Sequence, residues 1–98
     1  MKKGKYVIVR CRDAGVHAGY LVSIKDRTVV LKDSRRLWYW KATGSSHTLS
    51  GVAKHGISSE SKIPPTVATI HLLDACEVIS TTKACRKSIE EMPHHEVT

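Results

Sequence analysis

Apolar and polar residues alternate with a period of two along most of the first 41 positions, the period of strands whose successive side chains point to opposite faces. Tyr6 to Arg12 sets Val7, Val9 and Cys11 on one face and Tyr6, Ile8, Arg10 and Arg12 on the other, and the arginine-bearing face is expected to be the wet one. After the turn residues Asp13-Ala14-Gly15, alternation resumes from His17 to Ile24, with Tyr20, Val22 and Ile24 together. The polar connection Lys25-Asp26-Arg27 leads to a third strand, Thr28 to Lys32, and the three make a meander of antiparallel hairpins. Asp33-Ser34 interrupts the pattern. The aromatic run that follows predicts a fourth strand over Arg36 to Lys41, with Arg36, Trp38 and Trp40 on one side and Leu37, Tyr39 and Lys41 on the other.

The period then lengthens. Gly44-Ser45-Ser46 offers a cap for a short helix from His47 to His55, where Leu49, Val52 and Ala53 form one apolar stripe and Gly56 is the stop. Ser58 to Pro65 is polar, ends in two prolines and reads as a surface linker. Thr66 to Leu73 and Ala75 to Ser80 are apolar and β-branched enough for a fifth and a sixth strand, with a bend or bulge at Asp74. Thr81 or Thr82 caps a second helix, Lys83 to Met92, turning Ala84, Cys85, Ser88 and Ile89 inward until Pro93 stops it. The fold class is therefore mainly β or α+β: a small antiparallel sheet or half-open barrel of five to six strands with one or two short helices. One domain spans 1–98, with residues 93–98 as a fraying tail.

Composition sharpens this picture in three ways. Phe is absent, so Val, Ile and Leu supply most of the core and at least one Trp is a natural filler. No stretch of about 20 apolar residues exists to span a bilayer, and the four apolar residues after Lys5 fall short of a signal peptide, which predicts a cytoplasmic protein. Cys11, Cys76 and Cys85 form no CxxC pair and leave one thiol over under any disulfide scheme, as expected of a reducing compartment.

Charge is lopsided. The first 41 residues hold eleven Lys and Arg against three Asp, a net of +8, and all five aromatic residues; the remaining 57 hold five basic and six acidic side chains, a net of −1. Such a field favours an anionic partner on one side of the molecule. Trp38 and Trp40 between Arg36 and Lys41 have the makings of a stacking platform for nucleobases, as an alternative to service in the core. Arg10 and Arg12 share a strand face and Arg35 adjoins Arg36, so four guanidiniums suited to bidentate phosphate recognition converge if their strands are neighbours. The competing reading is a solvated face laced with Asp13, Asp26 and Asp33. Histidine spacing matches no metal frame, Thr43-Gly44-Ser45-Ser46 lacks the spacing and Lys of a phosphate loop, and no motif surrounds Cys76 or Cys85 as a nucleophile. No catalytic, metal or cofactor site is predicted.

The segments Tyr6-Val7-Ile8-Val9-Arg10, Ala14 to Leu21, Val29-Val30-Leu31 and Arg35 to Trp40 together resemble a family of small uncharacterised phage and prophage proteins, a domain of unknown function. The similarity continues through Ser45 to Gly56 and from Glu77 to Ile89. The resemblance carries no catalytic or binding residues with it, and implies a protein of the host cytoplasm that acts by occupancy. The expected function is thus non-enzymatic binding of an anionic partner, whether nucleotide, nucleic acid or acidic protein surface, in the service of inhibiting host defence. The alternative is an interaction protein that blocks a host complex without binding nucleic acid or nucleotide. An open sheet edge is also a surface on which copies pair into homo-oligomers.

Overall fold

A computed structural model describes residues 4–41 and 48–95. The elements are β1 (Tyr6–Cys11), β2 (Val16–Lys25), β3 (Thr28–Arg36), α1 (Leu49–His55), β4 (Val67–Leu72), β5 (Ala75–Ser80) and α2 (Lys83–Glu90). The strands form one antiparallel sheet in the order β4-β3-β2-β1-β5. The edge strands β4 and β5 are consecutive, joined only by Leu73 and Asp74. Three Cα steps of 3.8 Å span at most about 11 Å, so the sheet curls until its two edges approach at that end, without closing. Asp74 takes φ of +54° at the corner and ties it down. Its carbonyl accepts from Arg12 N–H at 3.0 Å, and the Arg27 carbonyl accepts from Ala75 N–H at 2.9 Å.

Curling gives the sheet two buried faces. Val7, Val9, Cys11, Leu21, Val29, Leu31 and Leu72 form a core that no helix residue enters, so the strands bury it against one another. On the other face Tyr6, Ile8 and Ala18 pack with Val52 and Ala53 of α1, Cys85 and Ile89 of α2, and Leu37, Ile57 and Ile63 of the connecting segments. This corrects the expectation for β1: Tyr6 through Val9 are all buried, and the face shared by Tyr6, Ile8 and Arg10 is wet only at Arg10. Thr48 and Thr82 cap the helices, their side chains accepting from Gly51 N–H and Cys85 N–H at 3.1 and 3.2 Å. Gly44-Ser45-Ser46, the predicted first cap, and His47 lie outside the described residues. α2 ends at Glu90 rather than Met92, and Ala84 is exposed while Cys85 and Ile89 are buried. Gly56, at φ of +92°, ends α1 where a Cβ would stand 2.5 Å from Ser88 Oγ of α2, so glycine lets the helices meet.

Asp33-Ser34, read as a break, is a bulge inside β3. Between the pairs Tyr20↔Lys32 and Ala18↔Arg35, β2 advances two residues and β3 three. Asp33 takes φ of +50°, and Gly19 opposite leaves room, since a Cβ there would come within 3.0 Å of Ser34 Cα. The extra residue reverses the alternation of everything after it. Arg35 therefore turns into the helical face, 2% exposed.

Every N–H of the Arg35 guanidinium meets a carbonyl. Nε donates to Pro64 at 3.1 Å, Nη1 to Ile89 at 2.7 Å and Met92 at 2.6 Å, and Nη2 to Ile63 and Pro64 at 3.0 Å each, with Pro93 at 3.4 Å. Burial pulls its pKa down from the ordinary value, yet a guanidinium stays charged. Two of the acceptors lie at or just past the C-terminal end of α2, where the helix dipole is negative and favours a cation. The predicted strand over Arg36 to Lys41 does not form: the chain leaves the sheet after Arg36, and among the described residues Tyr39 makes an isolated bridge to Lys62 while the Lys41 carbonyl accepts from Ser58 N–H at 2.7 Å. Replacing Arg35 with Met keeps bulk and abandons several buried carbonyls. Arg35→Met is expected to lower the unfolding free energy by about 3 kcal/mol or more, read as a lower urea midpoint, whereas Arg36→Met on the exposed neighbour moves it little.

Candidate functional site

The seven residues with anion-binding chemistry in the sequence separate once placed. Arg35 is withdrawn by its buried hydrogen bonds, so the four guanidiniums do not converge on one surface. Arg10 is opposite Glu77 of β5 in the ladder and forms an exposed ion pair with it at 3.2 Å. Lys41 pairs with Glu60 at 2.9 Å, which raises the lysine pKa. Trp40 packs against the helical-face core, as at least one indole was expected to do. Arg12, Arg36 and Trp38 are left exposed.

All three come from chain segments at one end of the sheet. Arg12 opens the loop between β1 and β2, and the Arg36 guanidinium comes near Gly15, the last residue of that loop. Arg36 also bears electrostatically on Cys11, which precedes the loop, and on His17 in the first pairs of the ladder after it. Just after Arg36, Leu37 and Trp40 both pack inward, a spacing of three that breaks strand alternation and turns Trp38 and Tyr39 outward, each 51% exposed. Backbone bonds hold this turn, Tyr39 N–H to the Lys62 carbonyl at 3.1 Å and Lys62 N–H to the Tyr39 carbonyl at 2.6 Å. Lys62 Nζ lies 5.9 Å from the centre of the Tyr39 ring, and the His95 imidazole stacks on Trp38 with centroids 5.6 Å apart and an 18° tilt.

One face of the Trp38 indole is thereby backed by an imidazole, and half of the side chain stays exposed. His94 and His95, in the expected tail, pair with the segment before β4: His94 bridges Ile63, and His95 N–H donates to the Ile63 carbonyl at 2.8 Å. Tyr39, Lys62 and His95 were not singled out from sequence. The spacing of Leu37 and Trp40 was the available signal for Tyr39, while Lys62 and His95 arrive through pairings across more than twenty residues.

Of the three free thiols Cys76 is exposed, and the other two are sequestered. Cys85 is buried and burial pushes its thiol up to about 11, while burial also raises Cys11. Neither is a thiolate near neutrality. Among the described residues no group of three or more His, Cys, Asp or Glu could hold a metal ion, and no helix is long and apolar enough to cross a membrane.

A family profile, "Domain of unknown function (DUF6948)", matches residues 4–89. No curated protein and no solved structure matches the chain.

His17 sits beneath this end of the sheet, 1% exposed, its Nε2 donating to the Ala14 carbonyl at 2.9 Å. Burial lowers its pKa from 6.5, with Arg36 adding to the effect and the Ala14 bond opposing it. The unfolded chain therefore binds a proton at this position more readily than the folded one. The stability due to neutral His17 is complete above about pH 6.5 and is lost as pH falls through the folded value. Urea midpoints measured between pH 8 and 5 should decline toward acid, and His17→Gln should flatten the decline; a midpoint rising toward acid in the parent would contradict this account.

Proposed function

The chain belongs to the DUF6948 family, a premise that fixes kinship and no activity, and from the geometry we propose a non-enzymatic protein that binds single-stranded nucleic acid. The observation that carries the reading is the pair of outward aromatic rings, Trp38 and Tyr39, beside exposed Arg12, Arg36 and Lys62. Stacking on such rings contributes about 1–3 kcal/mol per base and tolerates any sequence, while the cations hold phosphate. An open surface favours a strand over an enclosed nucleotide. A phage origin, action in the host cytoplasm and inhibition of host defence by occupancy complete the reading. These rest on the resemblance carried by Tyr6 to Arg10, Ala14 to Leu21 and Arg35 to Trp40.

A second reading, a blocker of a host protein complex, draws on β4. That strand has no charged side chain, Val67 is exposed, and it hydrogen-bonds to β3 alone within the sheet, so an extended partner segment would find an uncharged edge.

Fluorescence anisotropy of a labelled single-stranded oligonucleotide separates the two. Binding should weaken steeply with salt, Arg12→Ala and Arg36→Ala should each reduce the salt slope by about one unit, and Trp38→Ala should weaken binding about tenfold with the fold intact. Affinity indifferent to salt, or unchanged in Trp38→Ala, would remove the nucleic-acid reading. Failure of every oligonucleotide to bind would favour the β4 edge instead.

A further inference from the structure

A cavity of about 330 Å³ opens where the start of β1 meets the N-terminus of α2. Lys5, Lys83 and Arg86 line it, and no carboxylate does. Among the described residues neither Lys5 nor Lys83 has a carboxylate within ion-pairing distance. The amides of Lys83 and Ala84 head α2 without an intrahelical acceptor, and the Thr82 hydroxyl already takes that of Cys85. Three cations in the lining, of which Arg86 is also paired with Glu90, and the positive end of the helix dipole suit a doubly charged anion.

A second hollow of about 470 Å³ adjoins the first, sharing Gly4 and Tyr20 with it. Its character is different, for Asp33 and Glu90 stand in its wall with Lys32. Tyr20 is the partition, and its ring is held from both sides. Tyr6 packs edge-on against it at 5.0 Å and 75°, and its own hydroxyl donates to Glu90 Oε2 at 2.6 Å. Arg86 Nη1 holds the other oxygen of Glu90 at 3.0 Å, so the network locks the residues between the hollows. Tyr6 is 6% exposed and its buried hydroxyl has no hydrogen-bond partner, an arrangement a native fold seldom leaves.

We propose that the paired hollows bind a nucleoside monophosphate. The phosphate occupies the cationic hollow against Lys5, Lys83, Arg86 and the first amides of α2. The nucleoside lies along Tyr20, with its hydroxyl and amino donors toward Asp33 and Glu90. Each hollow falls within the range of small-molecule sites, and the split between cations and carboxylates matches the split between an acceptor-rich phosphate and a donor-bearing nucleoside. The site shares no residue with the Trp38 surface and stands whether or not that surface binds nucleic acid.

Isothermal titration of the full chain with adenosine 5′-monophosphate, adenosine and inorganic phosphate tests the assignment. The monophosphate should saturate one site, with adenosine and phosphate each at least about tenfold weaker. The double variant Lys5→Ala/Lys83→Ala should weaken the monophosphate about tenfold or more at an unchanged melting temperature. Asp33→Asn should weaken the monophosphate and leave phosphate alone, and Trp38→Ala should change neither. No saturable heat at about 1 mM monophosphate, affinity retained in the lysine double variant, phosphate binding as tightly as the monophosphate, or loss of binding in Trp38→Ala would each overturn the proposal.

Discussion

A single buried cation with no counter-ion fixes the relation between the sheet and everything laid over it. The Arg35 guanidinium is neutralised by dipoles alone, spending its donors on the carbonyls of Ile63, Pro64, Ile89, Met92 and Pro93. Desolvating a charge is costly unless every donor is satisfied, so those carbonyls cannot drift without exposing the cost. One side chain of β3 thus positions the approach to β4 and the end of α2 together. The stacking of His95 on Trp38 follows from it, because His95 comes two residues after the last of those carbonyls and is paired to Ile63, beside another.

That arrangement exists because of one extra residue. Without the Asp33-Ser34 bulge the alternation would carry Arg35 to the opposite face, among Val29, Leu31 and Leu72, where no carbonyl cluster could receive it. The same reversal sends Arg36 away from the helices toward His17 and the loop closed by Gly15. Two adjacent arginines therefore have opposite fates, one structural and one available to a ligand. The field of the N-terminal half survives, but it is expressed at the rim of the sheet and not across one of its faces.

How much of this was legible follows from the range of each signal. Period-two alternation located β1, β2 and the start of β3, and Gly56, Asp74 and Thr82 announced a helix end, a corner and a cap, because each acts on its immediate neighbours. Local pattern misplaced Asp33-Ser34, since a bulge is defined by the partner strand, and it made a strand of Arg36 to Lys41 although Leu37 and Trp40 share a core three residues apart. Arg35 looked like surface because its acceptors lie 28 to 58 positions later in the chain. The candidate surface was half visible for a similar reason: Trp38 and Arg36 declared themselves by residue type, while Lys62 and His95 come to it only through long-range pairing.

The span of the Arg35 bonds also bears on how the protein is made. A ribosome delivers β1, β2 and β3 first, and as an isolated meander they have no acceptor for that guanidinium and no cover for Tyr6, Ile8 or Ala18. The residues that supply both extend as far as Pro93. Domains commonly begin to fold from their leading end during translation, but here the leading half must wait for the trailing one to emerge before its buried cation and its second face are covered.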